Sequence, residues 1–190
     1  MKNLAVFASG SGSNFEAIAG AVQNGELKAN LKFLFCDKKN AFALERAKKF
    51  GVKTYAFELK EFANKADFEG KIVEILDEEQ IDMVALAGYM KIVSETLLSA
   101  YENKIINIHP SLLPSFKGAH GIADAFNYGV KVFGVSIHYV SSELDGGKII
   151  AQQSFPYVEG WSMDEVETEI HKIEHKLYPQ TLKKLLEENL

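Results

Sequence analysis

The chain has 190 residues, 47% hydrophobic and 25% charged, with a formal net charge of −5. That length allows one domain over residues 1–190 with a substantial core, and the balance of residue types excludes a disordered chain. Lacking a basic face or tail, the acidic sequence argues against broad nucleic-acid or membrane-surface binding, so any anionic ligand must be held by a local site.

Residues 4–8, LAVFA, read as a buried strand and are too short for the core of a signal peptide. Residues 14–25, NFEAIAGAVQNG, have a helical pattern stopped by Asn24-Gly25. A second apolar strand, LKFLFC over 31–36, ends in the sole cysteine, Cys36, which excludes a disulfide framework and a cysteine-built zinc site and reads as a buried thiol. A helix over 41–51 closed by Gly51, a short strand over 52–57 and a helix over 68–80 follow, the last with Ile72, Ile75 and Leu76 on one face. DMVALAG, 82–88, is a further apolar strand, far too short to span a bilayer, and a cytoplasmic protein is expected. Ser94 is the expected N-cap of a short helix over 94–101, a strand begins at Ile105, and another helix covers 122–129. This alternation predicts an α/β fold: a Rossmann-like, mostly parallel sheet with helices on both faces and ligands at the carboxyl ends of its strands.

The last third changes character. Residues 132–140 and 148–155 flank SSELDGG and read as an antiparallel pair joined by a glycine-containing connection. A long helix then opens on a capping box, Ser162 with Glu165, and carries Val166, Ile170, Ile173 and Leu177 as its core stripe. Pro179 is expected to break or kink it.

Four stretches could carry chemistry. In IINIHPSLLP, Asn107 and His109 share one strand face, and Pro110 ends the ladder so that the imidazole stands at the strand's tip. They could equally satisfy loop backbone groups. ASGSGSN, 8–14, lies between the first strand and helix, where small residues and the helix dipole favour phosphate. Gly10 and Gly12 begin a dinucleotide fingerprint, but Phe15 replaces its third glycine; Asp37 superficially matches the ribose-binding acid, which leaves an NAD-dependent enzyme as a minor alternative to a plain tight turn. HKIEH, 171–175, has the form of a zinc-protease motif, yet only Glu187 and Glu188 lie downstream as carboxylates, and a solvated helix face suits His171 and His175. Asp145 before two glycines is an ordinary turn formula.

Together GSGSN, LAGYMKIV, NIHPSLLPSFKGAHGI, GVSIHYV, ELDGG and IEHKLYP, in this order from about Asn3 to Pro179, resemble the phosphoribosylglycinamide formyltransferases of the folate-dependent formyltransferase superfamily. The resemblance implies formyl transfer from 10-formyltetrahydrofolate, a cosubstrate, to the amine of glycinamide ribonucleotide in purine synthesis, with no metal and no covalent enzyme intermediate. Its catalytic residues would be Asn107, which stabilises the oxyanion, His109, which helps that oxygen or shuttles protons, and Asp145, which orients the imidazole. Gly12, Ser13 and Asn14 would hold the ribonucleotide phosphate, Lys65 would touch the ribonucleotide, and Glu174 would hold its glycinamide end. Met90, Lys91, Ile92 and Val93, with Ser141, Ser142, Glu143, Leu144 and Asp145, would form the folate pocket, and His120 and His138 would support the site. Partners would be these small molecules, with the chain acting as a monomer or homodimer.

Three residues depart from the pattern: Lys65 and Lys91 stand where arginines are usual, and Lys117 where a proline is usual. Lysine keeps the charge but loses the bidentate fork. The alternatives are a 10-formyltetrahydrofolate hydrolase, in which water is the acceptor, a methionyl-tRNA formyltransferase, the NAD-dependent enzyme, and a non-catalytic binding module. The first two imply extra domains for which this sequence has no matching segment.

Overall fold

The computed structural model describes residues 1–187. Among them seven strands form one sheet: β1 (Lys2–Ala8), β2 (Ala29–Cys36), β3 (Lys53–Ala56), β4 (Met83–Leu86), β5 (Ile105–His109), β6 (Val132–Tyr139) and β7 (Ile149–Pro156). Six α-helices accompany them: α1 (Ser13–Gln23), α2 (Phe42–Lys49), α3 (Lys65–Glu78), α4 (Glu95–Ala100), α5 (Gly121–Tyr128) and α6 (Met163–Glu187). The strand order is β3-β2-β1-β4-β5-β6-β7. The first five strands pair in parallel, and β6 joins β5 and β7 antiparallel. The α/β reading holds, and the antiparallel pair extends the main sheet through β5.

Strand alternation separates two cores. Leu4, Val6 and Ala8 of β1 pack with α1 and α6, whereas Ala5 and Phe7 face α3 and α4. The chain runs outward from β1 through β2 to β3 and then crosses back to β4 on the other side of β1, so a crevice opens at the carboxyl ends of β1 and β4. No helix among the described residues is long and apolar enough to cross a membrane.

Three local expectations change. Helix α3 begins at Lys65 rather than Phe68, because the Asn64 side chain accepts from Asp67 N at 2.9 Å and caps the extra turn. Ser94 occupies the N-cap of α4 but makes no side-chain cap bond; its hydroxyl is given to Glu69. Helix α6 continues through Pro179 to Glu187, since Pro179, Tyr178 and Leu182 are buried and tertiary packing outweighs one missing backbone bond. The Ser162–Glu165 capping box is present, with Ser162 N donating to Glu165 Oε2 at 2.7 Å. Glu188 lies outside the described residues.

Candidate active site

Helix α1 opens at the end of β1 on Gly12, whose left-handed backbone (φ 73°) allows the sharp turn. A Cβ there would meet the Cβ of Ala43 at 2.5 Å, so close packing against α2 also requires glycine. Arg46 braces the loop by donating from Nε to Ser11 O at 2.8 Å and pairing with Glu16. The first-turn N–H groups of α1 therefore face a preformed cleft of about 300 Å³. Its walls include Gly12, Ser13, Asn14, Lys38, His171 and Glu174.

Glu174 is 4% exposed. Its Oε2 accepts from Asn14 Nδ2 at 3.1 Å and His171 Nδ1 at 2.9 Å. This bond to Glu174 holds the His171 pKa above its ordinary value. Oδ1 of Asn14 is buried without a protein partner and is free to accept from a ligand. His171, which reads from sequence as part of a solvated face, is half-exposed and also lines the cleft three residues before Glu174, a helical spacing that brings the two together. Among the described residues no group of three His, Cys, Asp or Glu side chains is placed to hold a metal ion.

A second cavity, of about 360 Å³, abuts the first; Gly88, Met90, Ile108 and Pro110 line both. The loop after β4, Met90, Lys91, Ile92 and Val93, forms one wall, and Ser141, Ser142, Glu143, Leu144 and Asp145 form another. Met90 and Ile92 are 69% and 64% exposed, an apolar surface suited to a flat ligand. Lys91 Nζ lies 3.5 Å from the buried carboxylate of Asp37, the residue that superficially matched a ribose-binding acid. Phe15, at the fingerprint's third glycine position, is fully buried. Lys65 lies beside the loop that walls this second cavity, where its Nζ donates to Ile92 O at 2.5 Å.

Asn107, His109 and Asp145 converge in the second cavity. The antiparallel register sets His138 directly opposite Asn107. His138 Nδ1 donates to Tyr139 O at 2.9 Å, and burial lowers its pKa, so the neutral ring presents Nε2 as an acceptor for Asn107 Nδ2 at 3.2 Å. His109 Nε2 donates to Phe116 O at 2.8 Å, while its Nδ1 faces Asp145 Oδ2 at 3.5 Å. Asp145 has φ 49° and accepts from Gly118 N at 2.8 Å. Lys117, at the departing proline position, reaches Glu143 at 2.7 Å and links the same two loops. His120 is the N-cap residue of α5 and makes no side-chain cap bond.

A sheet with a switch-point crevice, an anion-ready helix start and an Asn–His–Asp cluster beside an apolar cleft define a formyl-transfer class of α/β enzyme, and a family model described as formyl transferase matches residues 2–182. A phosphoribosylglycinamide formyltransferase of Bacillus subtilis is 48% identical over 98% of this chain and 95% of its own length. The crystal structure of phosphoribosylglycinamide formyltransferase from Streptococcus pneumoniae superposes with a TM-score of 0.92 at 54% identity, covering 97% of this chain and 99% of that one. Glycinamide ribonucleotide transformylase 1 from Geobacillus kaustophilus gives 0.95 at 49% identity, covering 98% and 99%. The chain belongs to the formyl transferase family, among its phosphoribosylglycinamide formyltransferases.

Proposed function

We propose that this chain, as a single formyltransferase domain over residues 1–190 in the cytosol, transfers the formyl group of 10-formyltetrahydrofolate to the amine of glycinamide ribonucleotide, in de novo purine synthesis. The observation that carries this reading is the pair of abutting cavities, one with an anion site and Glu174, the other apolar and holding Asn107, His109 and Asp145. The ribonucleotide phosphate sits on Gly12, Ser13 and Asn14, and Glu174 receives the glycinamide ammonium. The folate lies along Met90–Val93 and the 141–145 loop.

The glycinamide nitrogen, having given its ammonium proton to solvent, attacks the formyl carbon as the free amine, and the C=O π electrons move to oxygen. Asn107 Nδ2 has two N–H groups; His138 takes one, and the other donates to the oxyanion. His109 supports that oxygen and passes the proton lost by the amine to N10 of the folate as the C–N10 bond breaks. With Nδ1 facing Asp145 and Nε2 on Phe116 O, the bond to Phe116 O gives way to the substrate for this relay. Both cavities are built from one chain, which suits either a monomer or a homodimer.

The test is absorbance-monitored deformylation of a 10-formylfolate donor with and without glycinamide ribonucleotide. Turnover only with the ribonucleotide is expected. Equal turnover without it would make water the acceptor and the enzyme a hydrolase; none in either case would overturn the assignment.

A further inference from the structure

Glu69 is 2% exposed and sits in the second turn of α3, flanked by the buried Phe68 and Ile72. A carboxylate in such a place persists only where it is fully hydrogen-bonded. Its bonds all go to the segment that follows the Met90–Val93 loop. Oε1 accepts from Ser94 N at 2.8 Å, while Oε2 accepts from Ser94 Oγ at 2.5 Å and Leu97 N at 3.2 Å. Glu69 thus accepts across space from the N-cap residue of α4 and from Leu97 N, which also donates to Ser94 O at 3.2 Å, a task that an N-cap serine ordinarily performs locally. One turn earlier on α3, Lys65 lies 4.0 Å from the same carboxylate and holds Ile92 O. The loop's other end is tied where Met90 N donates to Ser9 Oγ at 2.8 Å. Between these ties Met90 and Ile92 project outward, so their own burial does little to hold the loop and polar anchors must shape it.

We infer that Glu69 is a positioning residue for the formyl donor: its carboxylate clamps the end of the Met90–Val93 loop to α3, so that the donor meets a preformed wall. This rests on the assignment of the second cavity to the folate. A preformed wall spares the donor the entropic cost of ordering the loop, and that cost falls on donor affinity alone.

The experiment is steady-state kinetics of Glu69→Gln with both substrates varied, together with hydrogen exchange of the ligand-free protein. The amide keeps the size but turns a donor toward the N–H groups of Ser94 or Leu97. The donor KM should rise about tenfold, with kcat and the ribonucleotide KM within about twofold of wild type. Glu69→Asp, which keeps the charge, should recover part of the donor affinity. The amides of Ser94 and Leu97 should exchange faster while those of β5 stay protected. An unchanged donor KM, a parallel rise in both KM values, or unchanged exchange at Ser94 and Leu97 would each overturn the clamp. Should Glu69→Gln fail to fold, Ser94→Ala removes only the Oγ anchor and should give a smaller rise in the donor KM alone. A wild-type protein without turnover would count against the proposed reaction, and the exchange measurement would still decide the clamp.

Discussion

Asp145 and His109 meet at 3.5 Å, carboxylate Oδ2 to ring Nδ1, although 36 positions apart in sequence and carried on separate loop and strand ends. The carboxylate reaches that position from a left-handed backbone and is steadied by Gly118 N. Asp145→Asn keeps the shape but removes the charge that orients the ring. It should lower kcat by at least ~10²-fold. Near-wild-type turnover in a steady-state assay would remove Asp145 from the mechanism.

Asn107 offers an uncharged donor whose amide is held in place by the neutral ring of His138. Asn107→Ala should lower kcat by about 10²- to 10³-fold, the scale of one oxyanion donor, while the ribonucleotide KM changes little. A change in KM alone would make Asn107 a binding residue instead.

The His171–Glu174 pair should leave a pH signature. The folded protein holds the His171 proton more tightly than the unfolded chain does, because Glu174 accepts it. The stabilisation is complete below the ordinary value of 6.5 and disappears as pH rises through the higher folded-state pKa. Since the ring is half-exposed, it should amount to no more than about 1 kcal/mol. Urea midpoints of wild type and His171→Gln should therefore differ most at acid pH and converge in alkali; a gap that widens with pH would exclude the ion pair.

The Tyr178 hydroxyl, fully buried, donates to Leu86 O at 2.9 Å and lies 3.2 Å from Ile106 O, bridging α6 to the two strands next to Asn107. Tyr178→Phe leaves those carbonyls without this donor and should cost roughly 1–3 kcal/mol. A calorimetric Tm lowered by roughly 2–12 °C is the expected result for a chain of this size; an unchanged Tm would mean that the hydroxyl is dispensable.

Much of this protein was legible locally. The apolar runs and helical stripes predict the parallel sheet, and Val166, Ile170, Ile173 and Leu177 are all buried as the period requires. The glycine turn, the Asn–His strand tip and the Leu-Asp-Gly-Gly turn locate the cavities, because each depends on residues adjacent in sequence. Tertiary structure decided the rest. His138 meets Asn107 only through the β5–β6 register, Lys65 in the first turn of α3 meets Ile92 O, and Glu69 takes the Ser94 hydroxyl from 25 positions away. Pro179 stays helical because buried neighbours outweigh its missing N–H. Sequence alone determined the elements and the chemistry available, since backbone preference and hydrophobic period act over a few residues; which polar groups became partners was decided by packing, which acts across the whole chain.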